Sequence, residues 1–277
     1  MAGQTVPTAR VSVRTLQDLD ELGQVDGLFG EIWGAMGGQV AMPVNLLQAI
    51  IHAGGYVAGA WLEGRMVGAA VAFLGRHDGV VELHSHVAGV AREAQGNGVG
   101  TALKLHQRDW ARAAGIGRIA WTYDPLVRRN GWFNLVKLGA RAVAYYPNFY
   151  GSMVDELNGS DETDRCLIRW DLDGKPGGTG PSPGEPVRLL EEAGRLLEVS
   201  DKHRPLVVDL EAGGSSAPAV LMCQVPPDVV SMRAKQPGLA REWRLALRQT
   251  MGRAMQSGYE ATAMTTDGWY VMERPVG

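Results

Sequence analysis

Three side chains within five residues could move a proton: Glu82, His84 and His86. They alternate along a stretch that reads as a strand, so spacing by two puts all three on one face. A histidine titrates near neutrality and suits a general base, and Glu82 could orient His84 or act through water. The blander reading is a hydrogen-bonded pair of core histidines, and a bulge in the strand would change which residues share a face. No third ligand lies at a usable spacing, so a metal site is not expected.

Nine residues beyond His86 comes a second chemical feature, the turn Gln95-Gly96-Asn97-Gly98-Val99-Gly100. It lies between the strand and an apolar-periodic stretch that opens a helix. Glycines let backbone approach a ligand, and the first amides of a helix have no partner inside it. Such a turn can hold a phosphate without a lysine. A dinucleotide fingerprint would belong to the first strand–helix–strand unit, whereas three strands precede this turn. A Walker loop would need Gly-Lys-Ser/Thr, and Gly100-Thr101 lacks the lysine.

These residues are to be positioned by the following elements. A helix opened by Thr15 and Asp18 runs to about Trp33, and a second spans Pro43 to His52. Strands follow at Tyr56–Trp61, Met66–Leu74 and Val80–Val90. A helix covers Val99 to Ala114, a strand Ile116 to Tyr123 and a helix Asn130 to Leu138, with strands at Ala140–Tyr146 and Cys166–Leu172. The segment 174–186 is rich in Gly and Pro and reads as a linker. Beyond it a helix is expected over Val187–Val199, strands over Val207–Leu210 and Ala219–Val225, a helix over Leu239–Gln256 and a final hairpin over Glu260–Glu273. The end of the chain thus repeats the helix–Gly–strand–turn–strand order found before the linker, a hint of a degenerate second half.

At this point the sequence resembles the GNAT superfamily of acyl-CoA N-acyltransferases. The motif Gln/Arg-x-x-Gly-x-Gly/Ala after a long strand matches Gln95 to Gly100, and Lys137-Leu138-Gly139-Ala140 is similar to the segment ending that family's fourth helix. The resemblance covers roughly residues 10 to 172. It implies an α/β (α+β) fold with a mixed, mostly antiparallel central sheet flanked by helices, here with a smaller C-terminal α/β extension. The implied domains are 1–173, catalytic, and 187–277, the smaller unit.

The resemblance also implies a ligand set. Acetyl-CoA or another acyl-CoA would lay its pantetheine along Val87, Ala88, Gly89 and Val90. Its diphosphate would sit on Gln95, Gly96, Asn97, Gly98, Val99, Gly100 and Thr101. Asn130 and Asn134, one helical turn apart, would contact pantetheine or substrate; a cap and a surface amide is the equal alternative. His84 lies where family members carry a strand-borne base. The family's usual acid, a tyrosine, falls on Leu135, which departs from the pattern; Tyr123, Tyr145 and Tyr146 are substitutes by type. Tyr123-Asp124-Pro125, Arg129-Asn130, Phe133-Asn134, Tyr150-Gly151 and Thr163-Asp164-Arg165 look like a subgroup with an extended C-terminus, of which some relatives N-acylate amino acids. The expected function is acyl transfer to a small amine by direct attack. A non-catalytic acyl-CoA-binding module and a protein N-acetyltransferase are the alternatives.

Composition sets bounds on this reading. Of 277 residues, 45% are hydrophobic and 21% charged, with a net charge of -3, which argues against nucleic acid as the main partner. No stretch has the apolar length of a membrane span or a signal peptide, so a cytoplasmic protein is expected. Cys166 and Cys223 lie in no metal or redox pattern and are expected to be reduced and packed. Arg128 and Arg129 read as a solvated basic run, and Arg244 and Arg248 as a salt-bridged surface face. The C-terminal unit would cover the acceptor site, extend the sheet or make a homodimer interface.

Overall fold

A computed structural model describes residues 11–33, 42–77, 79–151, 161–173, 193–208 and 218–275. The chain forms two compact units, 1–119 and 120–277.

The first unit is built on four antiparallel strands in chain order: β1 (Ser12–Thr15), β2 (Tyr56–Leu62), β3 (Arg65–His77) and β4 (Val80–Val90). Its helices are α1 (Leu19–Trp33), α2 (Val44–His52) and α3 (Val99–Ala113). Leu22, Val25, Leu28 and Phe29 make the buried stripe of α1, at the spacing of a helix face packed on a sheet. Residues Met66 to Ala72 of β3 are buried without a break, as expected of a strand covered on both faces. Two local expectations are corrected. Thr15 belongs to β1, and α1 is opened by Asp18, whose carboxylate accepts from the amides of Asp20 at 3.0 Å and Glu21 at 3.2 Å.

The second unit begins within β5 (Arg118–Tyr123). There follow α4 (Arg128–Trp132), which widens into a π-turn over Phe133–Lys137, then β6 (Arg141–Tyr146) and β7 (Arg165–Asp171). The C-terminal elements are β8 (Gly194–Val199), β9 (Pro205–Val207), β10 (Val220–Gln224), α5 (Val229–Lys235) and α6 (Pro237–Leu247). After α6 come a π-turn over Arg248–Gly252, α7 (Arg253–Gln256), β11 (Glu260–Met264) and β12 (Trp269–Glu273). In this unit the strands lie in the order β5-β7-β6-β11-β12-β10-β8-β9.

The sheet corrects one further expectation. The helix expected from Val187 is a strand over 194–199, where Leu197 pairs with Cys223 of β10; residues 187–192 lie outside the described residues. The linker 174–186 also lies outside them; by contacts the chain divides at 119/120. The C-terminal segment does not form a sheet of its own. β11 pairs with β6 through Ala261 and Ala142, because β6 would otherwise present a row of unpaired amides and carbonyls. Composition marked the linker but carried no information about strand pairing.

Candidate functional site

β4 delivers the chain through a short 3-10 turn, Arg92–Ala94, into the glycine-rich turn and α3. Gly96 and Gly98 have φ of 85° and 79°, the left-handed region in which side chains are strained. A Cβ at either would meet nothing within 4 Å, so these glycines are required by backbone shape and leave the space before them open. Gly100 differs: it is half-buried, and a Cβ there would touch Val90.

Not all amides of this turn are available. Gln95 N–H donates to Arg92 O at 3.3 Å and Asn97 N–H to Ala94 O at 3.4 Å. The Gln95 side chain donates to Val90 O, and the Asn97 side chain to Ala94 O, so both side chains brace the turn. The amides of Val99, Gly100 and Thr101 are the first of a 15-residue helix and have no acceptor within it, and Gly98, its N-cap, provides no side-chain cap. This leaves a row of donors at the positive end of the helix dipole. It is the arrangement that binds a phosphoryl anion. Within the row expected from sequence, the donors narrow to Gly96 and the residues from Gly98 to Thr101.

The strand that carries the proton-moving candidates has a bulge among them. Along the β3–β4 ladder His84 faces Phe73, Ser85 faces Ala72, and Val87 faces Val71, so His86 is the extra residue. His84 and His86 stay together beside the bulge: their rings are 6.3 Å apart, and both pack on Phe73, at 5.1 and 5.6 Å. Burial lowers the pKa of both; for His84 the neighbouring His86 and Lys104 add to the effect. Both rings are therefore neutral, and able to accept a proton, at neutral pH.

Glu82 is not brought to them by a hydrogen bond. Its side chain is buried, 6% exposed, and its Oε2 has no hydrogen-bond partner among the described residues. Such a group in a native interior calls for a function or a bound water.

The sequence reading missed Lys104. It sits on the sheet-facing side of α3, 7% exposed, and donates to Ser85 Oγ at 2.8 Å and Gln107 Oε1 at 3.2 Å. Burial lowers its pKa to about 7. It ties the helix that follows the turn to the residue between the two histidines. A lysine at an inward position of an amphipathic helix was the only signal for it.

In the second unit the remaining candidates separate. Asn130 is exposed while Asn134 is buried, 4% exposed, so the two amides do not share a surface. Asn130 lies in α4 and Asn134 in the π-turn that begins at Phe133. Leu135 is fully buried and carries no proton to give. Tyr123 donates to Tyr270 Oη at 3.2 Å and Tyr145 to Asp164 Oδ2 at 2.7 Å; burial raises both hydroxyls well above the ordinary range. Of the substitutes for the acid, Tyr146 alone has no hydroxyl partner among the described residues. Arg128 donates to Thr266 O in the β11–β12 turn.

Arg244 is corrected from a surface residue to a core one. It is 0% exposed and grips Asp124 with two parallel bonds of 2.8 Å, and reaches Asp161 at 2.9 Å. Arg233 also binds both carboxylates. Arg248 binds Asp164 at 2.6 and 3.0 Å and Glu162 beside it. Burial alone would raise the Asp124 carboxyl; Arg244 and Arg233 overcome this and hold it well below the usual carboxylate range. The Arg244 fork is thus spent on the protein's own carboxylates.

The described residues contain no group of three or more His, Cys, Asp or Glu able to hold a metal, and no helix among them is long and apolar enough to cross a membrane. Cys166 and Cys223 are buried free thiols.

Comparison with known proteins adds the following. Residues 26–133 match the acetyltransferase (GNAT) family. A search of curated proteins found no match. Among solved structures, a putative acetyltransferase from Salmonella typhimurium with its cofactor acetyl-CoA is 19% identical, with a TM-score of 0.48, over 61% of this chain and 98% of that one. An acetyltransferase of the GNAT family from Streptococcus pneumoniae is 12% identical, with a TM-score of 0.46, over 58% of this chain and 98% of that one. A histone acetyltransferase HPA2-related protein from Corynebacterium glutamicum is 18% identical, with a TM-score of 0.44, over 60% and 98%. The matched segment, which holds β4, the glycine turn and α3 in the order that the motif requires, has the acetyltransferase fold of the GNAT family.

Proposed function

We propose that the chain is an acyl-CoA-dependent N-acyltransferase acting on a small amine, an amino acid among the candidates. One observation carries this reading: the amides from Gly98 to Thr101 at the start of α3 have no acceptor within the helix and no side-chain cap, a receptor for the diphosphate of coenzyme A. The backbone of Val87 to Val90 receives the pantetheine in this reading. The amine nitrogen attacks the thioester carbonyl carbon directly. His84, neutral at the start, takes the proton that the nitrogen loses, and Glu82 serves through a water. The carbon–sulfur bond then breaks, and the leaving thiolate takes its proton from solvent, since Leu135 has none to offer and a thiol's ordinary pKa is about 8.5. Both cysteines are buried, and burial raises both thiols, Cys223 to about 12, which disfavours an acyl-enzyme.

A thermal-shift panel of acetyl-, succinyl-, malonyl- and longer acyl-CoAs tests the binding half, because a ligand of the folded state raises stability by mass action. Release of free thiol with a panel of amines tests the chemistry. His84→Ala is expected to lower kcat by roughly 10²–10⁴-fold. Wild-type kcat/KM is expected to rise with pH and level off below the ordinary histidine range, because His84 loses its proton early. Leu135 in place of an acid favours a second reading, a binding module without turnover. Shifts in melting with no thiol release from any amine would select it.

A further inference from the structure

The strands of the second unit, from β5 to β10, read the same from both ends: β5-β7-β6 meets β11-β12-β10. Each half runs from a strand through a helix that widens into a π-turn to a glycine and an antiparallel strand pair; the second half adds α5 before that helix and α7 after its π-turn. The glycines are Gly139 and Gly258, both left-handed at φ 67° and 88°. Each hairpin carries a bulge at the same place, between Ala142 and Ala144 in one and between Ala261 and Ala263 in the other. Counting from the glycines, Ala142 and Ala261 are equivalent, three residues on in each case. These two alanines are each other's partner where β6 meets β11. In a two-fold pairing of identical copies, the residue on the axis meets its own counterpart. One residue earlier, Arg141 and Glu260 are equivalent too, and they form an ion pair at 3.0 Å. Identical copies would bring two like charges together there; divergence has made the pair attractive.

The second half differs from the first unit in one respect that matters for ligand binding. The strand beside β10 is β8, parallel to it. β8 runs through the tight turn Ser200–Arg204 straight into β9, its antiparallel neighbour. No glycine-rich turn opening a helix follows β8, so it offers no row of helix-end amides for a diphosphate.

We infer that residues 218–275 are a diverged copy of residues 118–171 that serves as a built-in partner. It fills the edge of β6 that a second chain would otherwise take. The chain therefore works as a monomer with a single acyl-CoA site, at Gly98 to Thr101. The single-site clause rests on the acyl-CoA reading proposed above; the monomer clause does not. A homodimer, considered from the sequence, would need another face.

Light scattering on the full chain across a hundredfold range of concentration, with calorimetric titration of acetyl-CoA into the wild type and Gly98→Asp, tests both clauses. The expected result is the mass of one chain, one equivalent of acetyl-CoA, and loss of the binding heat in Gly98→Asp with its melting temperature kept close to that of the wild type. A stable dimer overturns the built-in partner. Two equivalents in the wild type, or binding that survives in Gly98→Asp, overturns the single site. A monomer that takes up no acetyl-CoA supports the built-in partner and sinks the acyl-CoA reading with its single-site clause.

Discussion

The glycine turn of the first unit and the arginine–carboxylate cluster of the second treat polar groups in opposite ways. At the turn, helix-end amides are left without an acceptor in the helix or a side-chain cap. In the cluster, Asp124, Asp161 and Asp164 are buried, and each is bound by arginine at 2.6–3.2 Å. Unpaired donors at a surface cost little, because water serves them, and they gain a partner when an anion binds. Buried charges must be paired or they destabilise the fold. The first arrangement is what a ligand site needs, and the second is what an anchor needs. Perturbed carboxylates alone would have pointed to the wrong one.

Breaking the anchor is expected to have the largest effect. Arg244→Met leaves Asp124 and Asp161 short of a buried partner, with an expected loss of about 3–5 kcal/mol in urea unfolding. Acyl-CoA affinity per folded molecule would stay within a few-fold. The turn should behave in the reverse way. Gly98→Asp adds a negative charge and a side chain at φ 79°, so acyl-CoA affinity should fall by tenfold or more, or at least about 1.4 kcal/mol, while stability falls by no more than about 1–2 kcal/mol. Equal losses of stability and affinity in both variants would erase the contrast.

Smaller changes sharpen it. Tyr145→Phe removes a hydrogen bond to a charged, buried carboxylate and should cost about 1.5–3 kcal/mol of stability. The sign with pH also separates the regions. Asp124 and Asp164 have folded pKa values below their unfolded ones, so their stabilisation is present above about pH 4 and is lost as acid protonates them. Lys104 has a folded pKa of about 7, below its unfolded value near 10.4, so the unfolded chain holds more protons between those limits and stability rises with pH across them. Lys104→Met should flatten that alkaline slope, against about 1 kcal/mol for each hydrogen bond lost at Ser85 and Gln107. Denaturant midpoints from pH 6 to pH 10 would show it, and an unchanged slope would remove Lys104 as its source.

Much of the first unit was legible in the chain. The run Met66 to Ala72, the spacing of Leu22, Val25 and Phe29, and the glycines at 96 and 98 are local signals, and each became the element it implied. So were β10, β11 and β12, bounded by Pro and Gly. The first turn of α1 and the strand at 194–199 were not. A Thr-x-x-Asp pattern and an apolar run flanked by Glu fit more than one local structure, and tertiary pairing chose between them.

What the sequence determined by itself is the glycine turn: its conformation depends on residues that take positive φ and on a helix that begins at once, both matters of a few neighbouring residues. What only the tertiary structure decided is the fate of the charges and the pairing of the strands. Arg244 looked like a surface residue until Asp124, 120 positions away, was seen to receive it. Asn130 and Asn134 looked aligned, yet one is exposed and the other buried, and Ala142 gave no sign that it would meet Ala261. Burial and partnership depend on distant chain segments, and a linear pattern of residue types does not carry that information.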